Sequence, residues 1–180
     1  MNDELFPWVD EHGRVLGSVP RSRAHGDPSR LHPVVHCIVT DRRGSLLLQL
    51  RGQHKDIQPG RWDTSVGGHV GYGESIESAL RREIREEIGL APEAAELRFL
   101  YRYLHRSPVE SELVHTYTLC HGGPFRRQAS EIDELRFWSP QEIESALGSG
   151  CFTPNFESEF RRFREATSPV SGLADGGPRG

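Results

Sequence analysis

Between residues 74 and 90, aliphatic side chains return at three- and four-residue steps: Ile76, Ala79, Leu80, Ile84 and Ile88. That spacing lines one face of an α-helix. The helix opens at Glu74 or Ser75, runs to about Ile88 and stops at Gly89, a residue suited to the left-handed turn that ends helices. Elsewhere the pattern is shorter and more alternating. VVHCIVTD (34–41) and SLLLQLRG (45–52) predict a hairpin over 34–52 with its turn at Asp41–Gly44. FPWVDEHGRVLGSV (6–19) predicts two short strands about a turn at Glu11–Gly13. Residues 97–104, 112–120 and 134–139 read as further strands, Pro140 opens a short helix through Leu147, and a last helix runs from about Asn155 to Ala166. Residues 20–33 read as a basic loop, 53–66 as irregular with a turn at Pro59–Gly60, and Gly67–Gly73 as a glycine loop feeding the long helix. There is no internal repeat. Mixed strands with a few helices predict an α/β or α+β sandwich.

Composition narrows the classes. A chain of 180 residues suits one domain with small additions: an N-terminal extension over 1–30, a main domain over 31–167, and a Gly/Pro/Ser-rich tail, 168–180, expected to be disordered. A formal charge of −4 leaves no basic footprint for nucleic acid, although a local basic pocket could still hold a small phosphorylated molecule. The three cysteines, Cys37, Cys120 and Cys151, form no CxxC and read as cytosolic thiols. The acidic start MNDELFPWVDEHG is no signal peptide, and no run approaches the roughly 18 apolar residues of a membrane span. A cytoplasmic monomer or homodimer without a membrane partner is the expectation.

The chemistry gathers on the long helix. With about 100° per residue, Glu87 lies about 40° to one side of Glu83 and Glu86 about 60° to the other. Three carboxylates in so narrow an arc repel, which is tolerable on a solvated face with Arg81, Arg82 and Arg85 as counter-charges, or where a hard cation such as Mg²⁺ takes one or two of them together with substrate phosphates. The preceding glycines could present a backbone carbonyl to the same cation or form an ordinary turn.

The spacing decides between these readings. Gly68, five residues, Glu74, seven residues, then Arg82-Glu83-Ile84-Arg85-Glu86-Glu87-Ile88-Gly89-Leu90 resembles the Nudix box at all nine specified positions. The resemblance implies a Nudix fold, a mixed β-sheet sandwiched between helices with the box as loop–helix–loop, and hydrolysis of a nucleoside diphosphate linked to another group. It implies Mg²⁺, with Mn²⁺ as a substitute, on Glu83, Glu86, Glu87 and the Gly67 carbonyl. Gly68, Glu74, Arg82 and Gly89 would be structural, with Arg82 also placing the catalytic carboxylates. The flanks LHPVVHCIV, LLLQLRGQHKD, PGRWDTSVGGH and SELVHTY, with WVDEHGRVLGSVPRSRAH before them, resemble the isopentenyl-diphosphate isomerase-like branch over roughly residues 6–165.

In that branch a second metal site uses three histidines and two glutamates, which His25, His32, His69, Glu110 and Glu112 match. The isomerases' catalytic cysteine, however, falls where this chain has Gly67, and their box is degraded where this one is complete. The resemblance therefore favours a pyrophosphohydrolase on a small diphosphate substrate, with a prenyl-diphosphate isomerase or a non-catalytic nucleotide sensor as alternatives. Arg51, Lys55 and Arg61 are the cations expected to meet the substrate phosphates. Glu83, Glu86, Glu112 and Glu131 are candidates for the general base, and Trp62 either stacks on substrate or sits in the core.

Overall fold

The periodic segment folds as predicted. In the computed structural model, which describes residues 3–55, 57–91 and 96–168, helix α2 spans Ile76–Ile88, the Ser75 side chain caps it by accepting from the Ser78 amide, and Gly89 ends it at φ 68°. Its aliphatic stripe is buried against β3 (His32–Thr40), where Val35, Cys37 and Val39 point the same way. Each such side chain removed from water contributes roughly 1.5–3 kcal/mol.

Strand β3 is the axis of a seven-stranded mixed sheet. It runs parallel to β8 (Ser111–Cys120), which pairs antiparallel with β7 (Arg98–Arg106). On its other edge β3 carries β6 (Val66–His69) at Val34–Cys37 and meets β4 (Leu46–Arg51) only at Thr40↔Leu46. Strand β4 instead pairs with β9 (Ile132–Trp138) and with β5 (Trp62–Asp63). The predicted 34–52 hairpin therefore opens straight after its turn, because residues 62–69 wedge between its arms and take their hydrogen bonds. The same pairing corrects the glycine loop: Gly67, Gly68 and His69 are strand residues, since the open edge of β3 offers partners that outweigh glycine's weak preference for sheets.

Side chains alternate across β3, so Ile38 faces the layer opposite α2. There it meets Phe156, Phe160 and Phe163 of α4 (Pro154–Thr167) and Ile143 of α3 (Pro140–Ala146). The result is helix, sheet, helix. A separate hairpin, β1 (Leu5–Val9) with β2 (Val15–Pro20), is followed by one helical turn, α1 (Arg21–Ala24), inside the segment expected to be loop. The hairpin is tied to the main sheet through Val9 N–H to the Leu31 carbonyl and Tyr72 N–H to the Leu5 carbonyl. The expected disorder of the tail from residue 169 onward falls outside the described residues.

Candidate active site

Strand β6 and helix α2 place the box residues. Gly68 lies so close to Glu83 that a Cβ there would overlap the carboxyl group, so a strand glycine is what lets Glu83 rest on the backbone. Arg82 is the hub. It grips both oxygens of Glu74 at 3.0 Å, donates to Glu83 at 2.6 Å and Glu86 at 3.3 Å, and reaches the His69 carbonyl at 2.9 Å. Bidentate arginine–carboxylate pairs are among the stronger and more directional of such bonds. Burial pushes the Glu74 carboxyl up, but Arg82 and the Gly71 amide outweigh it and hold the group below its ordinary value. Of the arginines expected as counter-charges, Arg81 pairs outward with Glu77 at 2.8 Å, whereas Arg82 turns inward.

Glu87 is buried at 6% exposure and accepts from the Gly67 amide at 3.0 Å and the Gln49 amide at 3.2 Å. Burial pushes it up to about 8, the Gly67 amide opposing and the Glu83 charge adding to the rise. Burial likewise raises Glu83. A cation beside them would offset this desolvation of charge, so the donor set fits a hard divalent metal. The three box glutamates nevertheless do not close on one point. Among the described residues, only two His/Cys/Asp/Glu trios bring three ligand atoms within 4.8 Å of one another, and neither contains Glu83, Glu86 or Glu87. Arg82 lies between Glu83 and Glu86, and Glu87 is drawn toward Gly67.

The two convergent trios are His25–His32–His69 and His32–Glu110–Glu112. They come from four places: the end of α1, the start of β3, the end of β6 and the start of β8. His32 stands directly opposite Glu112 in the parallel β3–β8 ladder. The His32 Nδ1 meets the Arg30 carbonyl at 3.0 Å, which turns its Nε2 inward, buried and without a partner. The Nε2 atoms of His25 and His69 are 3.0 Å apart, and Glu110 lies 3.8 Å from His25. Phe6 of β1 stacks on His69 at 4.5 Å and on His32 at 5.4 Å. Burial lowers all three imidazoles, His69 furthest, and so favours the neutral form that ligates metals. Burial, then the Glu110 charge, pushes Glu112 up to about 7. An orphaned nitrogen among neutral imidazoles and carboxylates fits a divalent metal of the Zn²⁺, Mn²⁺ or Mg²⁺ kind.

Two of the three proposed phosphate cations are engaged by acids. Arg51 pairs with Asp63 at 3.3 Å and Lys55 with Glu131 at 2.6 Å. Arg61 has no ion-pair partner among the described residues. Trp62 packs edge-on against Trp138 at 5.3 Å in the second core, which is the core alternative for that residue.

A buried pair escaped the sequence reading. His36 Nδ1 donates to Glu159 at 2.8 Å, and the same carboxylate accepts from Thr64 and Thr116, each at 2.7 Å. The signal was present as His36 inside the apolar run VVHCIV and as Glu159 at helical spacing with Phe156, Phe160 and Phe163. Burial alone would lower His36, but the Glu159 charge and hydrogen bond overcome it and push it up to about 9. Burial would raise Glu159, yet His36 and the threonines hold it below its ordinary value. A histidine more basic when folded than its ordinary 6.5 adds stability that is complete below that pH and is lost as pH rises through about 9. Glu159 adds stability that is lost as pH falls below 4.5. The melting temperature should therefore drop between about pH 7 and about pH 10. Glu159→Gln, which keeps one oxygen to accept from His36 and Thr64 and removes the charge, should flatten that drop; equal alkaline slopes in both proteins would show that the pair is not the cause.

The NUDIX domain family matches residues 30–156. An isopentenyl-diphosphate Delta-isomerase of Streptomyces avermitilis is 30% identical over 176 residues, 96% of this chain and 89% of that one. An uncharacterized Nudix hydrolase of Pseudomonas aeruginosa is 33% identical over 163 residues, 91% of this chain and 95% of that one. Among solved structures, the DR0079 protein of Deinococcus radiodurans superposes with a TM-score of 0.78 at 26% identity, over 88% of this chain and 98% of that one. A MutT protein of Methanosarcina mazei shares the fold, with a TM-score of 0.64 at 21% identity over 79% and 98% of the two chains.

Proposed function

The chain belongs to the Nudix superfamily, in its isopentenyl-diphosphate isomerase-like branch, and from that footing we propose that it is a Mg²⁺-dependent pyrophosphohydrolase, acting on a nucleoside di- or triphosphate or a related derivative. The observation that carries this reading is position 67. It is a glycine whose amide anchors Glu87, and it presents no thiol to the site. Cys37, beside His36 on β3, faces the α2 core, and burial pushes its thiol far up. The box, by contrast, is complete and already organised by Arg82.

Glu83, Glu86, Glu87 and the Gly67 carbonyl would hold Mg²⁺, or Mn²⁺ in its place, which would neutralise phosphate charge and make a water more acidic when bound. Arg82 keeps Glu83 and Glu86 apart and in register. Glu86, half exposed, would be the box carboxylate that takes the proton of that water. Glu131 is tied to Lys55, and Glu112 belongs to the histidine cluster. Arg61 supplies a positive charge toward the phosphates, joined by Arg51 and Lys55 when substrate displaces Asp63 and Glu131. Cytoplasmic residence fits three cysteines that are all unpaired.

A hydrolysis screen over nucleotides, dinucleotides, nucleotide sugars, CoA and prenyl diphosphates, with and without Mg²⁺ and with added pyrophosphatase and phosphomonoesterase turning the products into orthophosphate, tests the proposal. Metal-dependent release from a nucleoside diphosphate derivative is expected; a blank across the panel would move the chain to the sensor class. The five-residue histidine cluster favours one second reading, an isomerase-like use of prenyl diphosphate, and isomerisation of isopentenyl diphosphate would establish it. The cluster itself is tested by metal content. Untagged protein should retain about one equivalent of Zn²⁺, Mn²⁺ or Mg²⁺, and His69→Ala should lose it; equal content in both proteins would remove the site.

A further inference from the structure

The sheet face that carries the histidine cluster continues past it. Directly paired residues share a face, so three rows can be read across the strands. The first is His105, Glu112 and His32; the second is Tyr103, Val114, Val34 and His69; the third is Tyr101, Thr116, His36 and Gly67. His36 therefore lies one row beyond the cluster and directly beside Gly67. Helix α4 covers this face: Glu159 meets His36 and Thr116, and Arg162 lies 4.5 Å over the Tyr103 ring.

Beneath α4, two buried hydrogen-bonding groups and one partly accessible one have no partner among the described residues. Glu159 fixes the His36 ring through Nδ1, so Nε2 is the nitrogen that remains, and no described residue bonds to it. That edge of the ring looks onto Gly67, where a Cβ would come within 3.2 Å of Cδ2 and 3.4 Å of Nε2. The Tyr103 hydroxyl and the Asn155 side-chain oxygen are both buried and unpaired. Asn155 lies one turn before Glu159, on the same side of α4. Leaving such groups unpaired is unfavourable, and a ligand able to pair them recovers that loss, whereas a hydrocarbon would seal them off from water. Gly67 also connects the two regions, because its amide holds Glu87 while its open side faces His36. A diphosphate at the box glutamates can thus extend its substituent across this one glycine.

We infer that His36, positioned by Glu159, is a specificity-determining residue: with Tyr103 and Asn155 it receives the group attached to the diphosphate, and selects the sugar or base of a nucleoside over a hydrocarbon chain. The inference rests on the pyrophosphohydrolase reading and names the part of the substrate that reading leaves open.

The test is calorimetric binding of ADP, CDP, GDP and UDP, and of geranyl diphosphate, with Ca²⁺ replacing Mg²⁺ so that no turnover is needed. At least one nucleoside diphosphate should bind more tightly than geranyl diphosphate. His36→Leu should weaken that nucleotide by about tenfold or more and leave geranyl diphosphate unchanged, while His36→Gln, which keeps a hydrogen-bonding group, should recover most of the loss. Tyr103→Phe removes one hydroxyl without emptying the core and should shift the same ratio in the same direction, which covers an unfolded His36→Leu. Geranyl diphosphate binding as tightly as every nucleotide, or equal losses for both classes in the variants, would overturn the inference. Absence of metal-dependent hydrolysis with this binding preference intact would overturn the hydrolase reading alone.

Discussion

Glu87→Gln should lower Mg²⁺-dependent hydrolysis by at least about 10²-fold, in a protein that still folds. The shape is conserved, and the glutamine carbonyl oxygen can accept the Gly67 and Gln49 amides that Glu87 accepts at 3.0 and 3.2 Å. What disappears is a negative charge that the fold keeps in a poor environment. Burial pushes Glu87 up to about 8 from 4.5, so in metal-free protein the ionised group costs stability as pH rises through that interval. The melting temperature of metal-free Glu87→Gln at about pH 8 should therefore equal or exceed that of the parent. Thermal melts paired with phosphate release separate the two effects. Full turnover in a folded variant would remove Glu87 from the reaction.

Gly68→Ala should be nearly as damaging, for a purely spatial cause. Gly68 is a strand residue with no left-handed backbone to preserve, so alanine brings no dihedral strain. Its methyl group would instead occupy the place of the Glu83 carboxyl. Glu83 must then leave the strand, and its 2.6 Å bond from Arg82 goes with it. Since a displacement of about 1 Å among reacting groups can cost 10²-fold in rate, hydrolysis should fall by about that factor. The core lies on other residues, so the melting temperature should fall by only a few degrees. A crystal structure of the variant with Glu83 unmoved, or unaltered hydrolysis, would refute the argument.

Much of this arrangement was legible before any coordinates because it is local. Helix α2, its serine cap and its terminal glycine all follow from one periodic segment, and the box glutamates ride on it. What stayed hidden depends on pairing between distant segments. Nothing near residues 34–52 announces that 62–69 will split their hairpin, and so the glycines at 67 and 68 looked like a loop when they are strand. The histidine cluster was reachable only through resemblance, since its members come from four separate elements. The resemblance named Glu83, Glu86 and Glu87 as metal ligands, but the contacts that hold them, Arg82 between two of them and the Gly67 amide on the third, come only with the fold. His36 and Glu159, 123 positions apart, were each visible as a polar interruption, but only the fold brings them together.

The ring of Phe6 lies flat against His69, at an interplanar angle of 1°, and His25 completes the trio from the end of the first helical turn. Both residues precede the stretch 30–156 recognised as the NUDIX domain, while every carboxylate of the box lies within it. Loss or exchange of the residues before this stretch would thus remove His25 and the Phe6 ring, while His32, His69, Glu110 and Glu112 would remain with the box. Descendants of a common ancestor could retune the histidine cluster through the leading segment, by one ligand and one stacked ring, without altering any carboxylate of the box.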